Sequence, residues 1–99
     1  MQKDIFKTME PEMKILGVTP EELRSSRRDS KTVDARSLLA ALLRQRHGMR
    51  QVDIATLFGI TQVAVSKMLS RHRTMMLYNA PYRRLWQSVS QHSDERRPQ

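Results

Sequence analysis

The stretch Gln51 to Ser70, QVDIATLFGITQVAVSKMLS, decides the fold of this chain. Its pattern predicts a helix over residues 51–58 and a turn at Gly59, because glycine adopts the left-handed conformation that ends many helices at little cost. Thr61 is a suitable N-cap for a second helix, which we expect to run to about Thr74. Two helices separated by three residues are therefore predicted here.

The apolar residues of this stretch fit the helix-turn-helix template, in which two helices cross steeply over a short turn. Ala55 stands where only a small side chain lets the second helix approach, and Gly59 stands at the turn. The predicted buried positions are Ile54, Phe58, Ile60, Val65 and Met68. Few unrelated sequences would satisfy all seven positions together.

Once those residues face inward, a mostly polar set remains outward on the second helix, near the end that enters the major groove of DNA in such motifs. The set is Thr61, Gln62, Val63, Ser66, Lys67 and Ser70. Gln62 can pair with adenine, Lys67 can donate to guanine or to phosphate, and Val63 can pack against a thymine methyl group. The free N–H groups at the helix start, with Thr61, suit a phosphate oxygen.

Positive charge is concentrated in the middle of the chain. The net charge is +8, but residues 1–23 hold three lysines and five acids, giving −2, whereas residues 24–93 hold thirteen bases and three acids, giving +10. No carboxylate occurs between Ile54 and Ser93. This distribution is typical of a protein that binds a polyanion. The alternative is a core helix whose basic end is merely solvated, because runs of charge usually face water.

Composition narrows the class of protein further. The 99 residues suit one small domain, and 38% hydrophobic with 28% charged residues is compatible with a folded chain. The absence of cysteine excludes disulfides and cysteine-based metal sites. No apolar run reaches the length of a signal peptide or a membrane span. We therefore expect a cytoplasmic, nucleoid-associated protein with no contact to a membrane.

Two helices are predicted before the basic region. The first runs from about Lys3 to Leu16, with a break at Pro11, and ends at Gly17. The second begins at TPEEL, where Thr19 as N-cap and Glu22 three residues later form a capping box.

A basic loop, SSRRDSKT, is predicted over residues 25–32, because the segment lacks periodicity. After the loop, the third helix carries an apolar stripe at i, i+3, i+4, i+7 and i+8 and ends before Gly48. The stripe consists of Ala35, Leu38, Leu39, Leu42 and Leu43. Arg36 lies outside this stripe and is expected to be solvated or to contact the anion.

The last helix is predicted from NAPYRRLWQSV, with Asn79 as its cap. Its apolar face consists of Tyr82, Leu85, Trp86 and Val89. Residues 1–91 are thus predicted to form one domain, an all-α bundle of about five to six helices, followed by a polar tail over residues 92–99.

The segment GVTPEELRSSRRDSKTVDARSLLAALLRQRHGMRQVDIATLFGITQVAVSKML resembles the C-terminal DNA-binding domain of the bacterial replication initiator DnaA. It resembles still more the DnaA-like helix-turn-helix module of some transposase-associated proteins. The shared elements are GVTPEEL, the basic RR followed by AR at Ala35 and Arg36, IATLFG and AVSKML. The resemblance implies a fold of the Trp-repressor type, in which a loop arginine, here Arg27 or Arg28, reaches the minor groove.

The chain departs from the initiators in two respects. They carry an Arg-Asp-His-Thr-type signature where this sequence has Ile60, Thr61, Gln62 and Val63. The chain also contains no GxxxxGK[ST] phosphate loop. The resemblance therefore extends to DNA binding and leaves the target sequence open.

The sequence predicts sequence-specific binding of double-stranded DNA, by a small transcriptional regulator or DNA-targeting module without a cofactor or a small-molecule substrate. A lone domain that makes few phosphate contacts would bind DNA weakly, so a homodimer or a larger protein partner would strengthen its binding to DNA. The residues expected to contact DNA are Arg27, Arg28, Lys31, Arg36, Arg50, Gln51, Thr61, Gln62, Val63, Ser66, Lys67, Ser70, Arg71 and Arg73.

Two alternatives belong to other classes. One is the DNA-targeting fragment of a transposase-like nuclease, but His47, His72 and His92 have no HxH or HExxH spacing, and the tyrosines are better explained by packing. We therefore expect no catalysis and no metal. The histidines are expected to be surface residues or helix-dipole partners. The other alternative is an adaptor that binds a partner helix through the apolar face of the last helix.

Overall fold

Seven α-helices make up the part of the chain that the computed structural model describes, residues 5–25 and 28–96. They are α1 (Ile5–Thr8), α2 (Glu10–Leu16), α3 (Pro20–Arg24), α4 (Ser30–Arg46), α5 (Gln51–Phe58), α6 (Gln62–Tyr78) and α7 (Ala80–Arg96). No strand occurs within those two ranges. The predicted all-α class is confirmed, and the helix count exceeds the prediction because the N-terminal segment forms two helices.

The central helix is α4, which packs against α2, α3, α5, α6 and α7. The five residues of its predicted apolar stripe are all buried, which confirms that prediction. Ser37, Ala40 and Ala41 on its other sides are buried as well. These small side chains let neighbouring helices approach on every side, so α4 has no solvent face in its middle turns.

The N-terminal helices differ from the single segment predicted. The chain breaks at Met9, whose side chain is fully buried, and Pro11 lies in the first turn of α2, where its missing N–H leaves no hydrogen bond unmade. Gly17 ends α2 with a φ of 70°, as predicted. Lys3, where the predicted helix begins, lies outside the described residues.

The start of α3 carries the predicted capping box. The Thr19 hydroxyl accepts from the Glu22 N–H at 3.2 Å, and the Glu22 carboxylate accepts from the Thr19 N–H at 2.9 Å. The predicted basic loop, residues 25–32, overlaps the start of α4, because Asp29 caps this helix by accepting from the Thr32 N–H at 3.1 Å. Aspartate is a strong N-cap residue, so the helix begins at Ser30 inside the predicted loop.

The α5 and α6 helices are joined by residues 59–61, and the chain bends by 104° between them. Gly59 has a φ of 68°, and the Thr61 hydroxyl accepts from the Ala64 N–H at 3.1 Å, so the predicted turn and cap are confirmed. The five predicted buried positions are buried, with Ile60 and Met68 only partly so. Ala55 lies in the same core cluster.

α6 and α7 both extend further toward the C-terminus than predicted. α6 runs to Tyr78 rather than to Thr74, and Asn79 alone joins it to α7. The Asn79 carbonyl oxygen of the side chain accepts from the Tyr82 N–H at 2.9 Å, which confirms the predicted cap. α7 continues to Arg96, past residue 91, where the predicted domain ends.

The apolar face of α7 is narrower than predicted. Tyr82 and Val89 are fully buried and Trp86 is partly buried, but Leu85 is 36% exposed. The predicted inward position of Leu85 is therefore wrong. The face that does pack contacts α2, α4 and α6.

His72 is buried in the middle of α6, so its predicted surface position is wrong. Its Nδ1 lies 2.8 Å from the hydroxyl oxygen of Tyr82, and its ring meets the Trp86 ring edge-on, with centroids 4.7 Å apart. Burial lowers the pKa of His72, and the charge of Arg73 lowers it further. At neutral pH, the folded protein therefore holds this imidazole neutral.

No single helix in the described part of the chain is long and apolar enough to cross a membrane. α5 and α6 meet that length and composition only when they are taken together, across their 104° bend.

The burial of His72 predicts a pH-dependent stability. As the pH falls, the unfolded chain takes up a proton on this imidazole near its ordinary pKa of 6.5, before the folded chain does, so stability falls below that pH. We expect His72→Gln to flatten the fall in Tm between about pH 7 and about pH 5, measured by circular dichroism. Tyr82→Phe retains the imidazole and should keep the slope; equal slopes for wild type and His72→Gln would contradict the prediction.

Candidate nucleic-acid interface

The outward surface of α6 carries the polar set predicted from the sequence. Gln62, Ser66, Lys67 and Ser70 are exposed, and Val63 is 65% exposed although it is aliphatic. Val65, on the opposite side of the same turn, is fully buried. The first two turns of α6 therefore present amide, hydroxyl, ammonium and aliphatic groups to solvent on a helix that is fixed from behind.

The start of α6 offers hydrogen-bond donors. The Thr61 hydroxyl oxygen accepts from the Ala64 N–H, but its own O–H remains free to donate, because a hydroxyl is both donor and acceptor. The N-terminal N–H groups of α6 add a partial positive charge at this end of the helix. No acidic residue lies in the first turn of α6.

A groove of about 500 Å³ lies between α6 and the connection from α3 to α4, called here the α3–α4 loop, of which Ser25 and Arg28 line the groove. Its apolar lining comes from Val33, Ile60, Ala64 and Met68, and its basic lining from Arg28, Arg36, Lys67 and Arg71. The sequence predicts that all four cations contact DNA, but only Arg28, Lys67 and Arg71 have side chains that reach solvent. The fold thus brings residues almost 40 positions apart to the two sides of one groove.

Arg71 is half-buried and is held by an ion pair. Its Nη2 donates to the Asp34 carboxylate, across the contact between α6 and α4. The Asp34 side chain is 23% exposed and that of Arg71 is 38% exposed. Among the described residues, the buried Nε of Arg71 has no hydrogen-bond partner.

Arg36 does not face solvent, so its predicted contact with the anion is wrong. Only 8% of the residue is exposed. Its Nε donates to the Leu23 carbonyl at 3.0 Å, and its Nη2 donates to the carbonyl groups of Glu22, at 3.3 Å, and of Ser25. Burial lowers the pKa of Arg36 and Asp29 opposes that shift, but an arginine stays charged. Arg36 satisfies the carbonyl groups left over at the end of α3.

The remaining predicted contact residues are distributed over several surfaces. Arg73 is exposed on α6, and Gln51 is half-buried at the start of α5. Arg50, just before α5, is 76% exposed and its Nε lies 3.0 Å from the Asp53 carboxylate. Lys31 is exposed, but its ammonium group lies beside Gly17 and not in the groove. Arg27 lies outside the described residues.

Three further positions have roles that no pattern in the sequence indicates. Asp34 is 37 residues from Arg71, so neither spacing nor helical periodicity connects them. Arg24 donates from Nε to the Leu57 carbonyl at 3.2 Å, which ties α3 to the end of α5. Arg83 donates from Nη1 to the Met76 carbonyl at 2.8 Å and caps α6. Cations that bind carbonyl groups are invisible in a pattern of hydrophobic residues.

The described residues contain no group of three or more His, Asp or Glu side chains that could hold a metal ion. Tyr82 is buried and hydrogen-bonded to His72. The exposed chemistry of the groove and of α6 is cationic and hydrogen-bonding. Such a surface is suited to a polyanion that also carries hydrogen-bonding groups for side chains to recognise.

Comparisons of the chain with protein-family models, with curated proteins and with solved structures found no match.

The different roles of two arginines lead to a prediction about stability. Arg36→Met leaves three carbonyl groups without their buried donor and should lower the free energy of unfolding by about 1–3 kcal/mol. Arg73→Met removes an exposed side chain and should change it by less than about 0.5 kcal/mol. Urea unfolding of both variants checks this. If Arg36→Met lowers the free energy of unfolding no more than Arg73→Met does, the buried hydrogen bonds of Arg36 do not stabilise the fold.

Proposed function

We propose that this protein binds double-stranded DNA in a sequence-specific manner, with the first two turns of α6 in the major groove. The observation that carries the proposal is the exposed set on α6, Gln62, Val63, Ser66 and Lys67, presented by a helix that has no acidic residue in its first turn and is packed firmly from behind. The protein would act as a small transcriptional regulator or a DNA-targeting module.

The arrangement of α5 and α6 supports a helix-turn-helix role. Helices that meet at about 90–120° over three or four residues let the second helix lie in the groove while the first crosses the backbone. The 104° bend over residues 59–61 falls within that range. A fold of the Trp-repressor type, with the α3–α4 loop beside the recognition helix, accords with this arrangement.

Base reading would come from two adjacent residues. An exposed glutamine can pair bidentately with the N6 and N7 edge of adenine. Val63, next to Gln62, exposes aliphatic surface to water, which is unfavourable. A thymine methyl group would cover this surface in the complex. Lys67, one helical turn further on, can reach guanine acceptors or a phosphate.

The packing of α7 counts against the adaptor alternative. Tyr82 and Val89, two of the four residues of the face that such an adaptor would offer, are fully buried in the core cluster. A partner helix would have to open the domain to reach them.

The proposal predicts a steep dependence of affinity on salt. Binding of random duplex DNA should weaken linearly in log Kd against log salt concentration, with a slope of about 0.9 for each phosphate neutralised. Fluorescence anisotropy with a labelled random duplex measures it. A protein that binds only other proteins would show no such line.

Selection from random duplexes should yield a preferred site, and the α6 variants should lose it selectively. Gln62→Ala and Lys67→Ala are each expected to cost about 1–3 kcal/mol on that site and to relax its sequence preference. The measurement is a competition assay between the selected and the random duplex.

Matched controls come from exposed residues on other helices. Gln87→Ala on α7 and Lys14→Ala on α2 make the same chemical changes away from α6 and should leave the preference for the selected site intact. If Gln62→Ala weakens both duplexes equally, Gln62 does not read bases.

A further inference from the structure

Residues 24–93 contain three carboxylates, Asp29, Asp34 and Asp53. Asp29 caps α4, whereas the other two form ion pairs with arginines. Asp53 lies against Arg50 at the surface, with one helical turn between them. Asp34 instead reaches across from α4 to Arg71 on α6, and the pair is half-buried.

Arg71, the cation of the Asp34–Arg71 pair, lies at the groove between α6 and the α3–α4 loop. Arg71 lines this groove together with Lys67, one turn before it on α6, and with Arg28 on the opposite side. The apolar residues Val33, Ile60, Ala64 and Met68 complete the lining. Cationic and apolar surface together match a phosphodiester with its flanking deoxyribose, since the sugar is covered by C–H groups and the phosphate is not.

We propose that this groove binds a phosphate of the DNA backbone, and that Arg71 exchanges the Asp34 carboxylate for that phosphate when the duplex binds. This inference rests on the proposed DNA binding. In the free protein, Asp34 neutralises Arg71 and holds it in the groove wall. In the complex, the guanidinium turns to the phosphate, which Lys67 and Arg28 also attract.

As a result of the exchange, Asp34 lowers the affinity of the protein for duplex DNA. Breaking a half-buried ion pair costs energy that a new phosphate contact must offset, because Asp34 is left beside the bound anion. The cost applies to every duplex, whatever its sequence, because phosphates carry no sequence information. Asp34 therefore weakens binding to random DNA and raises the share of the total affinity that base reading by α6 supplies.

Three variants that each remove one negative charge separate this role from a general effect of net charge. They are Asp34→Asn, Asp53→Asn and Glu10→Gln, of which the last lies on α2 away from the groove. We expect Asp34→Asn to bind random duplex about fivefold to tenfold tighter, because Arg71 no longer has to leave a carboxylate to reach the phosphate. Asp53→Asn and Glu10→Gln should gain less than about twofold.

A double-mutant cycle tests the exchange itself. Arg71→Met removes the proposed phosphate ligand, so adding Asp34→Asn to Arg71→Met should give no gain beyond that of Glu10→Gln. If Asp34→Asn still tightens binding in the absence of Arg71, or if the three charge-removing variants gain equally, the exchange is wrong.

Folding of the variants is monitored by circular dichroism, and Asp34→Ser provides a second variant that removes the carboxylate. The wild-type salt titration keeps the two proposals apart. If wild type shows no salt-dependent binding, the proposed function fails and the exchange fails with it. If wild type binds DNA and Asp34→Asn and Asp34→Ser both bind no tighter than Glu10→Gln, the exchange alone is wrong.

Discussion

The packing of α6 across α4 is the contact on which the rest of the domain depends. α4 is buried on all sides in its middle turns, so α6 has one fixed inner face, marked by Val65 and His72. Because a helix has 3.6 residues per turn, this fixed inner face also determines which side chains in the first turns of α6 point outward to a ligand. The same contact carries the Asp34–Arg71 pair, so its apolar and ionic parts fix the same helix.

Two arginines tie short helices to the elements around this contact. The guanidinium of Arg36 binds the carbonyl groups at the end of α3, and Arg24 binds the carbonyl group of Leu57 at the end of α5. Helix ends leave carbonyl groups without intrahelical partners, and an arginine can satisfy several of them with one planar group. A domain of this size has a modest core, so such ties to short helices contribute materially to its stability.

The sequence predicted the apolar framework well because helical periodicity and capping are local. The stripe of α4, the Thr19 and Glu22 box and the Gly59 turn all depend on residues within one or two turns of each other. It failed where the tertiary structure decides. Arg36, one residue outside the apolar stripe, is buried by the arrival of α3, and His72 is buried by the packing of α7. The pairing of Asp34 with Arg71 spans 37 residues and leaves no local trace.

Net charge and direct contacts play different parts in this molecule. Arg24, Arg36 and Arg83 bind carbonyl groups, so they keep their charge but are engaged within the fold. They still add to the long-range field that attracts a polyanion and speeds encounter. The salt slope counts phosphates neutralised in the complex, so it should be smaller than the net charge of +8 suggests. Under the proposed DNA binding, the many cations would govern the rate of association, and the few exposed side chains of α6 would govern the choice of site.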